Sequence, residues 1–405
     1  MSSFFSVGSV ESSIFTLVSS AFGGGLLTLP YAMMRSGWLA GLLLLVLSAF
    51  MAYLSIQMLL DCAHKSKKYS YASLLGHVIG AKAALALDLI MVSYGFGALL
   101  AYFIFLADFI PPLMSTLSNG YLATTRTCAI VTSFCIALPL SFPRKLSALK
   151  YVSPISTLSL LFTALVVIFR SPQNHDALAD KTFETVTFSP QLLRCFTISL
   201  FAFVCHLNVV SVAGELVEPT PSRIEKVATR VSVLLFIFYA LIGVLGYYSF
   251  GNSVSQNFMN SFPADDLTTT CRFLLTLTLL LSLPITANPT SHAIVHYALA
   301  LTSTVAADPS EIEPFRLLRI AGAAIILGSS ALVASYTPGA ADVLSILGGS
   351  FGTLLMLVFP AIISRAIFRD DMTWSRSMGI GLMVFGSCVS FASVITTVLS
   401  AIGII

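Results

Sequence analysis

The stretch that decides the fold is residues 19–32, SSAFGGGLLTLPYA, which lies in an apolar run near the start of the chain. Its three consecutive glycines, Gly23, Gly24 and Gly25, each cost about 1 kcal/mol of helix stability relative to alanine. A helix in this run is therefore expected to break at the glycines. At membrane depth, irregular backbone is tolerated only where it is buried in protein or lines a water-filled site, so such a break indicates a binding site.

The composition indicates an integral membrane protein. Of the 405 residues, 57% are hydrophobic and 10% are charged, and the mean hydropathy is +0.92. A soluble globular chain carries about 25% charged residues. This difference excludes soluble enzymes, nucleic-acid-binding proteins and disordered chains, and the lipid bilayer is the expected surrounding. The net charge of +3 also indicates no polyanionic partner.

Apolar runs separated by charged residues, proline or glycine predict eleven membrane-spanning helices, each near the roughly 20 residues that a span needs. The predicted fold class is thus an all-α integral membrane protein with a single transmembrane domain over 1–405. The predicted spans are 12–33, 38–61, 83–110, 127–142, 151–170, 191–214, 227–250, 267–300, 315–336, 341–368 and 376–402.

The basic residues predict an orientation. With the N-terminus in the cytoplasm, all but six of the 21 Lys and Arg residues lie on the cytoplasmic side. This bias follows the positive-inside rule and places the C-terminus on the extracytoplasmic side. The six exceptions are Arg35, Arg126, Arg170, Lys181, Arg194 and Arg272.

Span six carries a second unusual stretch, residues 201–208, FAFVCHLN. His206 and Asn208 are costly beside lipid, so they are expected to face a protein interior or a cavity. Spans one and six hold equivalent positions in two five-helix halves, about 12–170 and 191–368. Inverted-repeat secondary transporters have this arrangement, with broken helices at the membrane midplane. The span at 376–402 is then an extra helix.

Five segments, in order along the chain, resemble the amino acid/auxin permease family of the APC superfamily. They are GGGLLTLPYA at 23–32, YFIFLAD at 102–108, LKYVSPIS at 149–156, FAFVCHLN at 201–208 and GYYSFG at 246–251. The resemblance covers nearly the whole chain. It implies a leucine-transporter-type fold, a 5+5 inverted repeat with broken helices 1 and 6, and transport of amino acids by alternating access.

A broken helix suits a zwitterionic amino acid, because free N–H groups and the positive dipole end attract a carboxylate while free carbonyls accept from an ammonium. We expect the first-span glycines to bind the carboxylate; close packing of two helices is the alternative role for them. In the fold implied by the resemblance, span three abuts the site. The candidate substrate-binding residues are Gly23, Gly24, Gly25, Leu200, Phe201, Ala202, Phe203, Tyr94 and Tyr102.

Ion coupling is the second expected property. Sodium-coupled relatives have an Asn before the first-span glycines and a hydroxyl on span eight; the corresponding positions here are Ser19 and Ser282. The missing Asn favours transport without sodium. His206 either titrates near neutral pH or hydrogen-bonds within the bundle. Asn208 is expected to cap the broken helix. Glu11 is either half of an inner gate, paired with Arg230 or Arg365, or a carboxylate favoured by the helix dipole.

The leading function is therefore a secondary transporter of small-molecule amino acids, proton-linked or facilitative. Sodium symport is the alternative within the same class. A transporter-like amino acid sensor is the alternative from another class, but only residues 1–11 precede the first predicted span, so a signalling tail is not expected. No P-loop or metal-ligand spacing occurs, so neither an enzyme nor a cofactor is expected. The expected location is the plasma membrane or the vacuolar or lysosomal membrane.

Overall fold

The computed structural model describes residues 8–121, 124–142, 152–176, 178, 182–302, 316–371 and 374–401, and this part of the chain contains helices and no strand. The α-helices are α1 Val10–Ala21, α2 Gly24–Ser36, α3 Trp38–Ser66, α4 Tyr71–Ile79, α5 Ala81–Leu117, α6 Arg126–Leu140, α7 Val152–Asp176, α8 Gln191–Ala202, α9 His206–Glu215, α10 Pro221–Phe250, α11 Asp266–Thr302, α12 Arg316–Tyr336, α13 Ala340–Leu347, α14 Phe359–Ile367 and α15 Trp374–Ala401. Two π-helical stretches, Gly348–Gly352 and Leu354–Val358, connect α13 to α14.

The all-helical prediction is confirmed, but the count of eleven spans is not. Within the described residues, nine helical segments are long and apolar enough to cross a membrane, if α8 with α9 and α13 with α14 each count as one segment. The pair α1 and α2, bent by 62°, makes a tenth span when it is counted as one. The remaining predicted span, 127–142, corresponds to α6, which has 15 residues. A helix of that length is shorter than the roughly 20 residues needed to cross the hydrocarbon core.

The chain divides into two compact units. The first comprises Met1–Ala84, Arg170–Val254 and Ser345–Ile405, and the second comprises Leu85–Phe169 and Ser255–Leu344. Both helix breaks, between α1 and α2 and between α8 and α9, belong to the first unit.

Within the first unit, a cluster of buried hydroxyls bonds the last helix, α15, to α8 and to Ser345. Thr197 on α8 lies 2.8 Å from the Ser345 hydroxyl and 3.2 Å from the Ser393 hydroxyl on α15. Ser345 in turn lies 3.2 Å from the hydroxyl of Thr397 on α15. Side-chain hydrogen bonds of this kind hold membrane helices together. Helix α15, which corresponds to the predicted span 376–402, is therefore bonded directly to α8.

An ion pair connects the helix ends of the second unit. Arg126, at the start of α6, donates to the Asp108 carboxylate on α5 at 2.9 Å and to the Thr337 carbonyl at 2.8 Å. Asn257 donates to the other carboxylate oxygen of Asp108 at 3.2 Å. Each strong hydrogen-bonding group of this cluster thus has a partner, as buried or half-buried polar groups require.

Helices α2 and α8 pack closely at Gly25. A β-carbon added at Gly25 would lie 2.9 Å from the Ala202 Cα and 3.0 Å from its Cβ, closer than unstrained carbon atoms approach. Because the nearest atom is backbone, an added methyl group could be accommodated only by moving one helix. The packing role that was the alternative for these glycines is therefore the observed one at Gly25.

We expect Gly25→Ala to destabilise the protein by about 1–3 kcal/mol, the usual cost of overpacking. Gly381→Ala on α15 is the matched control, since no atom lies within 4 Å of the added β-carbon. The measurement is thermal unfolding of the two purified variants in detergent. Equal midpoints for Gly25→Ala and Gly381→Ala would contradict the close packing.

Candidate functional site

The first-span break lies where the glycines predict it. Helix α1 ends at Ala21, and Phe22 donates its backbone N–H to the Val18 carbonyl at 3.0 Å. Gly23 is extended, with φ −161° and ψ −156°, and α2 begins at Gly24. Gly24 and Gly25 therefore lie in the first turn of α2, where backbone N–H groups have no acceptor within their own helix.

The second break spans Phe203 to Cys205, between α8 and α9. Cys205 holds the N-cap position, so the expectation that Asn208 caps this helix is wrong. Asn208 is the third residue of α9: its backbone N–H donates to the Cys205 carbonyl at 3.0 Å, and its side chain is exposed. The helix thus restarts at His206, three residues earlier than a cap at Asn208 would require.

The two helices that begin inside a span both start without a side-chain cap, as α3 and α8 also do. The N-caps of α2 and α9, Gly23 and Cys205, make no side-chain hydrogen bond to the first turn. Serine or threonine caps α1, α4, α6 and α10. An uncapped first turn presents N–H donors and the positive end of the helix dipole, which together suit an anionic group.

Three of the four predicted carbonyl acceptors, those of Leu200, Phe201 and Ala202, already have partners. The Leu200 carbonyl accepts from the Phe203 N–H and the Phe201 carbonyl from the Val204 N–H, each at 3.1 Å. The Ala202 carbonyl accepts from the Tyr239 hydroxyl at 2.7 Å. A carbonyl oxygen has a second lone pair, so these groups can each accept once more. Their role toward an ammonium stays a prediction.

Tyr239 on α10 is a central residue that the sequence did not reveal. Its fully buried hydroxyl lies 3.0 Å from the Ala21 carbonyl at the end of α1 and 2.7 Å from the Ala202 carbonyl at the end of α8. Its ring contacts Phe22 and Phe203, with centroids 6.2 and 5.2 Å away. Its partners are distant backbone atoms, which leave no signal in the sequence.

His206 is completely buried, and its Nε2 lies 2.6 Å from the Ser55 hydroxyl on α3. Ser55 has one hydroxyl proton and also donates to the Ala52 carbonyl at 3.1 Å. This arrangement makes Nε2 the donor to Ser55. Among the described residues, Nδ1 has no hydrogen-bond partner. The histidine therefore joins α9 to α3 within the bundle.

Glu11 lies beside one of the two basic residues expected for it. Its Oε1 is 3.5 Å from Nη1 of Arg230 on α10, and the two side chains are 29% and 51% exposed. An ion pair this exposed contributes about 0–1 kcal/mol to stability. The pair costs little to separate, as an inner gate requires, and that role stays a prediction.

The remaining candidate residues are part-buried. In the second unit, Tyr102 interacts with the Thr286 side chain on α11, and Tyr94 lies two turns earlier on α5. Ser282 donates to the Thr278 carbonyl at 2.8 Å, so its proton is engaged while its oxygen retains lone pairs. Ser19 lies on α1 in the first unit. The substrate and ion roles of these four residues stay predictions.

An acid–histidine pair in the second unit also escaped the sequence interpretation. Asp88 on α5 and His296 on α11 lie 2.6 Å apart, with side chains 11% and 29% exposed. They are 208 residues apart in sequence, so no local pattern connects them. Among the described residues, no group of three or more His, Cys, Asp or Glu side chains could hold a metal ion.

A family model for transmembrane amino acid transporter proteins matches residues 6–403. The chain belongs to this family. The resemblance to amino acid/auxin permeases is thereby confirmed across nearly the full sequence.

Two relatives illustrate the range of the family. A putative amino acid transporter, AAT1 of Toxoplasma gondii, is 33% identical over 287 residues, which are 70% of this chain and 40% of that protein. A putative sodium-coupled neutral amino acid transporter 10 of Xenopus laevis is 24% identical over 383 residues, which are 92% of this chain and 36% of that protein. The chain thus spans about two fifths of the length of these relatives.

Solved structures share the fold. The manganese transporter of Eremococcus coleocola, bound to an aromatic bis-isothiourea compound, matches with a TM-score of 0.61 at 11% identity, over 100% of this chain and 90% of that one. MhsT in complex with L-phenylalanine matches with a TM-score of 0.56 at 14% identity, over 94% and 98%. The ligands of these neighbours differ, so the shared fold does not decide the substrate.

The contact between His206 and Ser55 predicts energetic coupling. We expect His206→Ala and Ser55→Ala each to destabilise the protein by about 1–3 kcal/mol, because each leaves a buried polar group without its partner. The double variant should be destabilised by about 1 kcal/mol less than the sum of the two single destabilisations. Thermal unfolding of the four proteins measures this difference. Strictly additive losses would contradict the hydrogen bond.

Proposed function

We propose that this protein is a secondary transporter that carries amino acids across a membrane by alternating access. The observation that carries the proposal is the pair of mid-span breaks in the first unit, each followed by a helix that starts without a side-chain cap. Backbone groups of this kind are the usual binding elements of transporters with broken helices.

The substrate carboxylate is proposed to bind at the N–H groups of Gly23, Gly24 and Gly25. Glycine suits this role because no β-carbon separates the backbone from the ligand. Gly25 serves helix packing as well, since its α-carbon faces Ala202. The substrate ammonium is proposed to use the second lone pairs of the carbonyls at residues 200–203, with Phe201 and Phe203 as apolar walls.

Membership of the family supports amino acids as the substrate class. The relatives are named as amino acid transporters, and one structural neighbour holds L-phenylalanine. These names favour a transporter over an enzyme or a sensor. The proposed location is a plasma or a vacuolar or lysosomal membrane, with the N-terminus in the cytoplasm.

The energy source is proposed to be a proton gradient or the substrate gradient itself. Asp88 and His296 supply a part-exposed titratable pair, and His292 lies one turn earlier on α11. The guanidinium of Arg319 on α12 donates to the Ser141 and Phe142 carbonyls. Sodium symport is the alternative, favoured by the names of several relatives.

The test of the substrate class is uptake by the purified protein in liposomes, with a labelled amino acid competed by each of the twenty. We expect one chemical group of amino acids to compete. Gly24→Val should abolish uptake without loss of folded protein, because its branched side chain blocks the approach of a carboxylate to the backbone. Gly381→Val, at an open position on α15, is the control and should transport normally. Near-normal uptake by Gly24→Val would refute the first-span site.

The test of the driving ion replaces sodium by choline at constant membrane potential and varies the pH gradient separately. We expect uptake to persist in choline. If transport is proton-linked, a pH gradient drives accumulation in the wild type, and His296→Gln removes that response while downhill uptake remains. Loss of accumulation in choline, with indifference to pH, would instead establish sodium symport and an ion site that includes Ser19 or Ser282.

A further inference from the structure

One side chain meets the ends of both broken helices. The α1 half-helix ends on Ala21 followed by Phe22, and the α8 half-helix ends on Ala202 followed by Phe203. The Tyr239 hydroxyl is within hydrogen-bonding distance of both alanine carbonyls, and its ring packs against both phenylalanines. At each break, an alanine carbonyl and the phenylalanine that follows it thus contact the same tyrosine, Tyr239.

The electrostatics of this junction require a positive or donating group. The carboxyl end of a helix carries unpaired carbonyls and a partial negative charge, so two such ends repel each other when they converge. In a membrane interior no bulk water relieves this repulsion. A cation or a hydrogen-bond donor can do so, and the described structure places a phenol there.

We propose that Tyr239 is a positioning residue whose neutral hydroxyl joins the ends of the two half-helices where a cation would otherwise be needed. This inference rests on the proposed function and deepens it, because it assigns a cause to transport without sodium. A phenol O–H donates one proton, which the two carbonyls share, and it brings no charge into the membrane. The junction then holds its shape at any sodium concentration.

The proposal makes Tyr239→Phe unusual among conservative substitutions. Phenylalanine keeps the ring that contacts Phe22 and Phe203 but leaves the carbonyls of Ala21 and Ala202 without their donor. Two convergent carbonyl oxygens are hard ligands of the type that binds sodium in broken-helix transporters. Removing the hydroxyl should therefore create a requirement for the ion that the hydroxyl had replaced.

Tyr247→Phe is the matched control. Tyr247 lies on the same helix, α10, and is 1% exposed. Its hydroxyl accepts a hydrogen bond from the backbone N–H of Glu184 at 3.3 Å, away from both breaks. The control thus removes a hydroxyl from the same helix and also breaks a part-buried hydrogen bond to backbone.

The experiment measures uptake in sodium and in choline for the wild type and both variants, normalised to protein in the liposomes. We expect Tyr239→Phe to lose about tenfold in choline, as the loss of shared buried hydrogen bonds implies, and to recover several-fold in sodium. The wild type and Tyr247→Phe should each transport as fast in choline as in sodium. Equal losses in the two variants, or a wild type that needs sodium, would overturn the proposal.

A second measurement does not depend on transport. The thermal midpoint of each purified protein is compared in sodium chloride and choline chloride. Sodium should stabilise Tyr239→Phe alone; no sodium effect on that variant, or stabilisation of the wild type, would overturn the proposal. If Tyr239→Phe yields no folded protein, the wild-type midpoints in the two salts are compared instead. Equal midpoints support the proposal, and a higher midpoint in sodium overturns it. Absence of amino acid uptake by the wild type would instead contradict the proposed function and would leave these midpoints interpretable.

Discussion

Hydrogen bonding of the backbone is the constraint on which this structure depends. Inside a bilayer each N–H and C=O group needs a partner from the protein or a ligand, and an unbroken helix supplies one for nearly all of its residues. The helices of predicted spans one and six are interrupted within the span, which frees backbone groups at both breaks. The surrounding structure must then satisfy the freed groups, and any group that it leaves without a partner is open to a ligand.

The two kinds of freed groups are treated differently. At the carboxyl ends of the half-helices, the carbonyls of Ala21 and Ala202 are occupied by Tyr239. At the amino ends, the first turns of α2 and α9 have no side-chain cap. Donors therefore remain available while these acceptors are engaged, so the site is suited first to a carboxylate. In the proposed transporter the ammonium would use the second lone pairs of these carbonyls, so we expect the carboxylate to contribute more of the binding energy.

The sequence predicted the breaks better than their details. Consecutive glycines have a large and local helix cost, so the position of the first break could be predicted from residues 23–25 alone. Asn208 was wrongly predicted as the cap. The cap is the residue just before the helix restarts, and the local backbone geometry that sets this point cannot be predicted from the sequence. The short helix α4, Tyr71–Ile79, was missed because its nine residues are far fewer than a span requires. The pair Asp88 and His296 was missed because its members lie on different helices.

By itself, the sequence determined that the chain is an all-helical membrane protein, that span one breaks at its glycines, and to which family it belongs. These properties depend on composition, on local helix propensity and on ordered motifs, all of which are readable along the chain. Only the tertiary structure decided that His206 bonds to Ser55, that Gly25 packs on Ala202 and that Tyr239 joins both breaks. Each of these contacts joins residues on separate helices, and the helix packing that brings them together leaves no pattern in the order of the residues.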